Sequence, residues 1–248
     1  MSVTGEVALV TGATSGIGRA TALQLAWRGA HVLISGRDAD RGAAVVTEVR
    51  NGGGTADFLA ADLADPDSCR ALAQNAIATA GQVDILVNNA AIAPMGPTPT
   101  IAEADLDACY AVNVKAPFFL VAALAPAMAE RGHGTIVNVS TMVASFGTVG
   151  SGVYGSSKAA LELLTKSWAA EFGPRGVRVN AVAPGPTMTD GTAEVLGEAG
   201  LTRLAKGSPA RRFAAADEIA DVVCYLAGTG AGFVHGAVVP VDGGRSAV

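Results

Sequence analysis

The stretch that decides the fold runs from Val7 to Gly18 and reads VALVTGATSGIG. Its first part, Val7–Thr11, is a mostly apolar run and predicts a strand that is buried on both faces. The segment from Ile17 onward predicts a helix. The intervening glycines, spaced G-x-x-x-G-x-G, allow a tight turn close to an anion, and the helix N-terminus offers amide donors. Because the standard dinucleotide fingerprint is G-x-G-x-x-G, the turn alone leaves a phosphate site and an ordinary glycine-rich turn both open.

Outward from this stretch, strand-like runs alternate with helical stretches along the whole chain. This alternation predicts an α/β fold with a single doubly wound parallel sheet of about seven strands and helices on both faces. The predicted strands are Val7–Thr11, Val32–Ser35, Phe58–Ala60, Val83–Asn88, Thr135–Ser140, Arg178–Ala183 and Val234–Val239. The predicted helices are Ile17–Arg28, Asp40–Asn51, Pro66–Ala80, Glu103–Val114, Pro117–Arg131, Val153–Phe172 and Ala215–Leu226.

Composition excludes several classes of protein. The chain has 248 residues, of which 50% are hydrophobic and 16% are charged. It therefore has enough apolar surface to fold without stabilising disulfide bonds or metal ions. With a formal net charge of −5, the chain lacks the excess of positive charge that is typical of nucleic-acid-binding proteins. The three histidines have no metal-ligand spacing, so no metal site is expected. We expect one domain spanning residues 1–248.

The cysteines and the N-terminal sequence indicate the cellular compartment of the protein. The three cysteines are far apart, so we expect buried thiols in a reducing compartment. The N-terminus lacks the pattern of a signal peptide, which favours a cytoplasmic protein. The apolar run Ala116–Ala129 has 14 residues, too few to cross a bilayer, and is predicted to be a buried core helix without membrane contact.

Two polar features at helix and strand ends indicate chemistry. Tyr154 and Lys158 are four residues apart, which places both on one helix face, although such pairs are also common on surfaces. Ser140 ends a predicted strand, where open α/β sheets place their sites. Asn113 falls in the second half of a predicted helix and by itself indicates only a polar surface residue or a C-cap.

Together these residues resemble the classical short-chain dehydrogenase/reductase family, whose Rossmann fold and motifs match along nearly the whole chain. The resemblance implies a catalytic tetrad of Asn113, Ser140, Tyr154 and Lys158. It also rests on Asn88-Asn89-Ala90-Ala91, where Gly is usual in place of Ala91, and on Asp242-Gly243-Gly244. The implied cofactor-binding residues are Gly12, Thr14, Ser15, Gly16, Ile17, Gly18, Arg37, Asp62, Leu63, Asn89, Ala90, Tyr154, Lys158, Pro184, Gly185, Thr187 and Thr189.

The resemblance implies a hydride transfer between a nicotinamide and a ketone or secondary alcohol. Tyr154 is the expected proton donor, and the ammonium group of Lys158 is expected to lower its pKa and to bind the nicotinamide ribose. Ser140 is expected to orient the substrate oxygen, and Asn113 to hold a water that links Lys158 to solvent. The expected substrate contacts are Ser140, Met142, Tyr154 and Met188, and a lid is expected at about residues 187–208.

The end of the second predicted strand indicates the cofactor. NAD-preferring relatives place an acidic residue there, whereas this chain has Gly36 followed by Arg37, whose guanidinium suits a 2′-phosphate. Asp38 is expected to cap the next helix and point away. We therefore expect NADP(H), with NAD(H) as the alternative. A lysine or arginine common in NADP-specific relatives is missing at Ser15.

The leading hypothesis is an NADP(H)-dependent oxidoreductase similar to 3-oxoacyl-(acyl-carrier-protein) reductases, acting on a small-molecule carbonyl that is free or carrier-bound. NAD-dependent secondary-alcohol, sugar or polyol, and polycyclic-alcohol dehydrogenases remain open. A catalytically silent dinucleotide sensor or scaffold is the alternative from another class. An oligomer is expected, because seven large side chains on two helices exceed what one core layer holds: Phe118, Phe119, Leu120, Leu124, Leu161, Leu164 and Trp168. The resemblance implies that it is a homotetramer.

Overall fold

The core of the molecule is a seven-stranded sheet in the order β3-β2-β1-β4-β5-β6-β9, with every neighbouring pair parallel. The computed structural model describes residues 2–248. The doubly wound parallel sheet predicted from the sequence is confirmed. Its strands are β1 (Val7–Thr11), β2 (His31–Gly36), β3 (Thr55–Ala60), β4 (Ile85–Asn88), β5 (Gly134–Val139), β6 (Val177–Pro184) and β9 (Val238–Val241), and a separate pair consists of β7 (Thr187–Met188) and β8 (Ala214–Ala215).

Helices cover both faces of the sheet and bury two apolar clusters. One face carries α1 (Gly16–Trp27), α2 (Ala39–Asn51) and α8 (Ala216–Ala227), and the other carries α3 (Pro66–Ala80), α4 (Glu103–Tyr110), α5 (Ala116–Arg131) and α6 (Gly152–Phe172). The local sequence determines where helix α3 begins. The Asp65 side chain accepts hydrogen bonds from two amides of α3, and Pro66 occupies the first helical position.

Most predicted elements begin or end within three residues of their predicted bounds, whereas the last strand and the helix predicted at Glu103–Val114 differ by four. The last strand begins at Val238 instead of Val234, because Gly236 adopts a positive φ of 67° and interrupts the run. The Asn180 side chain holds this turn, donating to the Val234 carbonyl at 2.7 Å and accepting from the Ala237 amide at 3.0 Å.

Helices α4 and α5 are continuous, because a π-helical turn at Ala111–Lys115 joins them. The resulting segment, Glu103–Arg131, has 29 residues and contains an 18-residue window with a mean hydropathy of 1.6, so by length and composition alone it could cross a membrane. The helix that contains the 14-residue apolar run Ala116–Ala129 is therefore longer than the run itself. The α5 part nevertheless packs Leu120, Val121 and Leu124 into the core beside the sheet, as predicted.

The strand order reverses between β1 and β4, and crevices at such a switch point bind ligands at the carboxyl ends of the strands. The turn after β1, the residues after β4 and the end of β5 all open onto this edge. Helix α7 (Asp190–Ala205) follows β6 and has a kink at Gly197, where φ is 61° and ψ is 171°. The structure thus has two short helical pieces within the region expected to form a lid.

Candidate active site

The glycine-rich turn after β1 is packed too tightly for side chains. A Cβ atom on Gly18 would lie 2.3 Å from the Gly12 carbonyl oxygen, and one on Gly12 would lie 2.8 Å from the Cα of Ala90. The Asn89 side chain fastens the turn by donating to the carbonyl oxygens of Thr11 at 2.9 Å and Gly12 at 3.1 Å. Two predicted cofactor residues, Asn89 and Ala90, therefore shape this turn from β4.

The N-terminus of α1 fits an anion. Its N-cap residue, Ser15, makes no side-chain capping hydrogen bond, so the first amides of the helix have no side-chain acceptor. A Cβ on Gly16 would lie 3.1 Å from Thr189 at the start of α7, so the segment after β6 reaches the turn directly. A tight glycine cradle beneath an uncapped helix N-terminus suits the pyrophosphate of a dinucleotide.

The end of β2 has the features expected of an adenosine-ribose site. A Cβ on Gly36 would lie 2.6 Å from a methyl carbon of Thr14, which explains why the strand ends in glycine. Arg37 is exposed. The Asp38 carboxylate accepts a hydrogen bond from the Arg41 amide at 3.0 Å and caps α2, so it is turned into the helix as expected.

After β3, Asp62 is exposed and its carboxylate accepts a hydrogen bond from the Ala64 amide at 3.1 Å. Leu63 is half-buried and packs against the second core cluster. Both residues therefore lie beyond the carboxyl end of a strand that neighbours β2, on the edge where the glycine turn also lies.

The end of β5 meets one face of α6. The Lys158 amine is 1% exposed and donates a hydrogen bond to the Val139 carbonyl at 2.7 Å. The Ser140 hydroxyl donates to Oε1 of Glu162 at 2.6 Å. The hydroxyl that influences Tyr154 is that of Thr141, which lowers the pKa of Tyr154 against the rise caused by burial. In this structure the Ser140 hydroxyl is thus engaged with Glu162, and the role predicted for Ser140 beside Tyr154 stays a prediction.

The sequence could not distinguish these two adjacent hydroxyls. Residues in extended chain point alternately to opposite sides, so Ser140 and Thr141 cannot both face Tyr154. Which of them does depends on how α6 packs on the strand. The alternation rule, applied to a Ser-Thr pair at a strand end, is the signal that could have named Thr141 as a second candidate.

The ionisation of the Tyr–Lys pair differs from the expectation. Burial raises the pKa of Tyr154, and the hydrogen bond from Thr141 opposes that rise. Burial lowers the pKa of Lys158 to about 8. The predicted lowering of the Tyr154 pKa is not found in this structure, because burial has the largest influence on both groups and disfavours the charged form of each.

Asn113 lies in the π-helical turn and is buried, not exposed as its position alone had indicated. Its side chain accepts from the Ile92 amide at 3.0 Å and donates to the Ile92 carbonyl at 2.9 Å. It also donates to Ser157 at 3.0 Å, one residue before Lys158, and lies 3.3 Å from the sulfur of Cys109. The side chain is thus engaged in holding the loop after β4 against α6.

The segment after β6 lines the same edge. A Cβ on Gly185 would lie 2.6 Å from the Cα of Asp242, so the Pro184–Gly185 corner packs against the C-terminal motif. The Thr187 hydroxyl donates to the Gly185 carbonyl at 2.9 Å. Met142, just after β5, and Met188, just before α7, are both half-buried.

Comparison with known proteins decides the family. The family model described as enoyl-(acyl carrier protein) reductase matches residues 12–246. The chain belongs to the classical short-chain dehydrogenase/reductase family. It is an oxidoreductase that acts on alcohol or ketone groups.

Named relatives cover the full chain. An uncharacterised oxidoreductase of Thermotoga maritima is 38% identical over 100% of both chains, and a 3-oxoacyl-[acyl-carrier-protein] reductase of the same organism is 36% identical over 98% of this chain and 99% of its own. The 7alpha-hydroxysteroid dehydrogenase of Escherichia coli K12 is 35% identical over 97% of this chain and 94% of its own.

Solved structures also support membership of this family. A short-chain dehydrogenase/reductase family protein superposes with a TM-score of 0.91 at 49% identity, covering 100% of both chains. A protein of Beutenbergia cavernae with the provisional name NAD(P)-dependent gluconate 5-dehydrogenase has a TM-score of 0.95 at 38% identity, covering 100% of this chain and 99% of its own, and contains NADP at low occupancy.

Proposed function

We propose that this short-chain dehydrogenase/reductase is an NADP(H)-dependent oxidoreductase that interconverts a ketone and a secondary alcohol, similar to 3-oxoacyl-(acyl-carrier-protein) reductases. The observation that carries the proposal is the meeting of Tyr154, Lys158 and Thr141 at the sheet edge that also presents the uncapped glycine turn. A proton donor and a dinucleotide cradle at one edge are what such a reaction needs.

Each residue has a distinct task in this proposal. The nicotinamide, when bound, supplies or accepts the hydride. Tyr154 donates a proton to the developing alkoxide, and the Thr141 hydroxyl hydrogen-bonds the substrate oxygen in the place expected for Ser140. The charged form of Lys158, when held beside the phenol, favours ionised Tyr154 and offers donors to ribose hydroxyls. Because the Asn113 side chain is engaged with Ile92 and Ser157, we assign the water to its backbone carbonyl.

The preference for NADP(H) rests on the end of β2. Asp38 is turned into α2, and exposed Arg37 is free to pair with a 2′-phosphate through a charge-assisted contact. Replacing Arg37 by Ala should cost about 1.5–3 kcal/mol in kcat/KM for NADPH and little for NADH. Arg70→Ala, a change at an exposed arginine of α3, is the matched control. A wild type that favours NADH, or equal losses with both cofactors, would overturn the preference.

The function itself is tested with a panel of 3-oxoacyl thioesters, small ketones, sugar acids and steroid alcohols, assayed with NADPH and NADH at 340 nm. Turnover of 3-oxoacyl thioesters above the other classes supports the leading proposal. Higher turnover of sugar or polycyclic alcohols favours the dehydrogenase alternatives. Tight cofactor binding without turnover of any class would contradict the enzyme and favour the sensor.

Assembly as a homotetramer is part of the proposal, although its original argument needs correction. Leu120, Leu124, Leu161 and Trp168 are all buried within one chain, so they do not require a partner. Two exposed side chains support it: Phe118 on α5, one of the seven, is 47% exposed, and Leu163 on α6 is 65% exposed. Light scattering at micromolar concentration should give a tetramer mass, and a monomer would refute it.

The three cysteines, Cys69, Cys109 and Cys224, are buried free thiols, which is compatible with the proposed cytoplasmic location because free thiols persist in reducing compartments. Microscopy of the tagged protein in its native cells should find it in the cytoplasm, and a membrane or extracellular location would contradict this.

A further inference from the structure

Glu162 extends the row that Tyr154 and Lys158 form on α6. The three residues follow one another at intervals of four, so they share one helix face. Glu162 is half-buried. Its carboxylate accepts a short hydrogen bond of 2.6 Å from the Ser140 hydroxyl. None of the tasks assigned above to the site uses this carboxylate.

The hydrogen bond ties α6 to a strand end whose other contacts matter for the reaction. Val139, directly before Ser140, presents the carbonyl that holds the Lys158 amine, and Thr141, directly after it, contacts Tyr154. On the strand side, the Ser140 amide donates to the Val182 carbonyl of β6 at 2.7 Å. Ser140 is therefore fixed through its backbone to the sheet and through its side chain to the helix.

We propose that Glu162 is a positioning residue of the active site, which fixes the end of β5 against α6 by accepting the hydrogen bond of Ser140. The neighbouring Thr141 is thereby held against Tyr154. The carboxylate also determines which way the Ser140 proton points, leaving Thr141 and Tyr154 as the hydroxyl donors for the substrate oxygen. The kinetic part of this inference rests on the proposed function, whereas the geometric part does not.

Burial raises the pKa of Glu162, and two neighbouring groups oppose that rise. Ser140 faces it from β5, and Lys166 lies one turn further along α6, where its positive charge lowers the pKa of the carboxyl and opposes the rise caused by burial. Substituting Ala at Glu162 would remove the acceptor and leave the Ser140 hydroxyl free to rotate. Gln would keep an acceptor oxygen at the same reach and should restore part of the loss.

The kinetic test compares Glu162→Ala, Glu162→Gln, Ser140→Ala and the double variant Ser140→Ala/Glu162→Ala. Each alanine variant should lower kcat about tenfold, as for one charged hydrogen bond, with cofactor KM unchanged. The double variant should lose no more than either single variant, because both changes break one contact. Gln should recover part of kcat. Glu171→Gln, an exposed glutamate on the same helix, is the control and should be unaffected.

A second readout needs no turnover. Ultraviolet difference titration follows ionisation of the tyrosines, and Tyr154→Phe identifies the signal of Tyr154. Because the Thr141 hydrogen bond lowers the pKa of Tyr154, Glu162→Ala should move that titration to higher pH, and Glu171→Gln should not. If the wild type turns over no substrate but this shift is seen, the proposed function fails and the positioning role stands. If Glu162→Ala and Ser140→Ala match the control in titration, or their kinetic losses add, the role is overturned.

Discussion

The end of β5 with α6 and the helical segment α7 lie on the same edge of the sheet, yet they are built differently. In α6 seven of the residues are buried, including charged Lys158, and side-chain hydrogen bonds join the helix to the strand. In α7 only Leu201 and Ala205 are buried, and Gly197 interrupts the helix. The difference is the one that the proposed function requires, since groups proposed to transfer protons need fixed positions and a segment proposed to admit a substrate needs weak packing.

The largest expected effect tests the fixed region. Tyr154→Phe removes the proposed proton donor and keeps the ring, so kcat should fall by about 10³-fold or more while the cofactor dissociation constant, measured by fluorescence titration, changes little. Tyr225→Phe, on α8, is the matched control. Turnover near that of the wild type would show that another group donates the proton.

The next effect comes from burying the Lys158 amine. Its pKa is lowered from 10.5 to about 8, so between these values the unfolded chain carries a proton that the folded chain has released. The contribution of Lys158 to the free energy of unfolding should therefore rise with pH across this window, by about 2–3 kcal/mol. Urea denaturation at pH 7.5 and 10 should show this rise in the wild type and a smaller one in Lys158→Met. Equal pH slopes in both proteins would contradict the buried, shifted amine.

The smallest effect concerns α7. Its amides should exchange with deuterium faster than those of α6, because few of its side chains are buried. Adding NADP⁺ should slow exchange in α7 through the contact between Thr189 and the glycine turn at Gly16. Helix α8, on the opposite face from α6, serves as the internal control. Equal protection of α6 and α7, with no change on adding cofactor, would argue against a lid.

Sequence reasoning worked best where the signal was local. Strand β1 and helix α3 were predicted to the residue, since an apolar run and the Asp65–Pro66 cap determine their ends. It failed where contacts between residues that are distant in the sequence determine the structure. The last strand begins late because Asn180 holds a turn at Gly236. Helices α4 and α5 are joined by a π-helical turn, and no residue type in the sequence predicts such a turn.

The same limit applies within the site. Motifs predicted which residues gather at the edge of the sheet, and the structure places the glycine turn, Tyr154 and Lys158 there. They could not predict that burial would raise the pKa of Tyr154, because desolvation depends on the packing of the whole edge. Nor could they predict that Glu162 would engage Ser140, since that contact joins a helix to a strand 22 residues away.

The central claim is that the end of β5 presents Thr141, and not Ser140, to the reaction. The most direct measurement is kcat of Thr141→Val, which keeps the shape of the side chain without its hydroxyl, beside Thr141→Ser, which keeps the hydroxyl. Thr141→Val should lose about 10²–10³-fold, as for one donor to a developing oxyanion, and Thr141→Ser should stay within a few-fold of the wild type. Ser140→Ala should lose much less than Thr141→Val. The reverse order, with Ser140→Ala the more damaged and Thr141→Val nearly intact, would contradict the account.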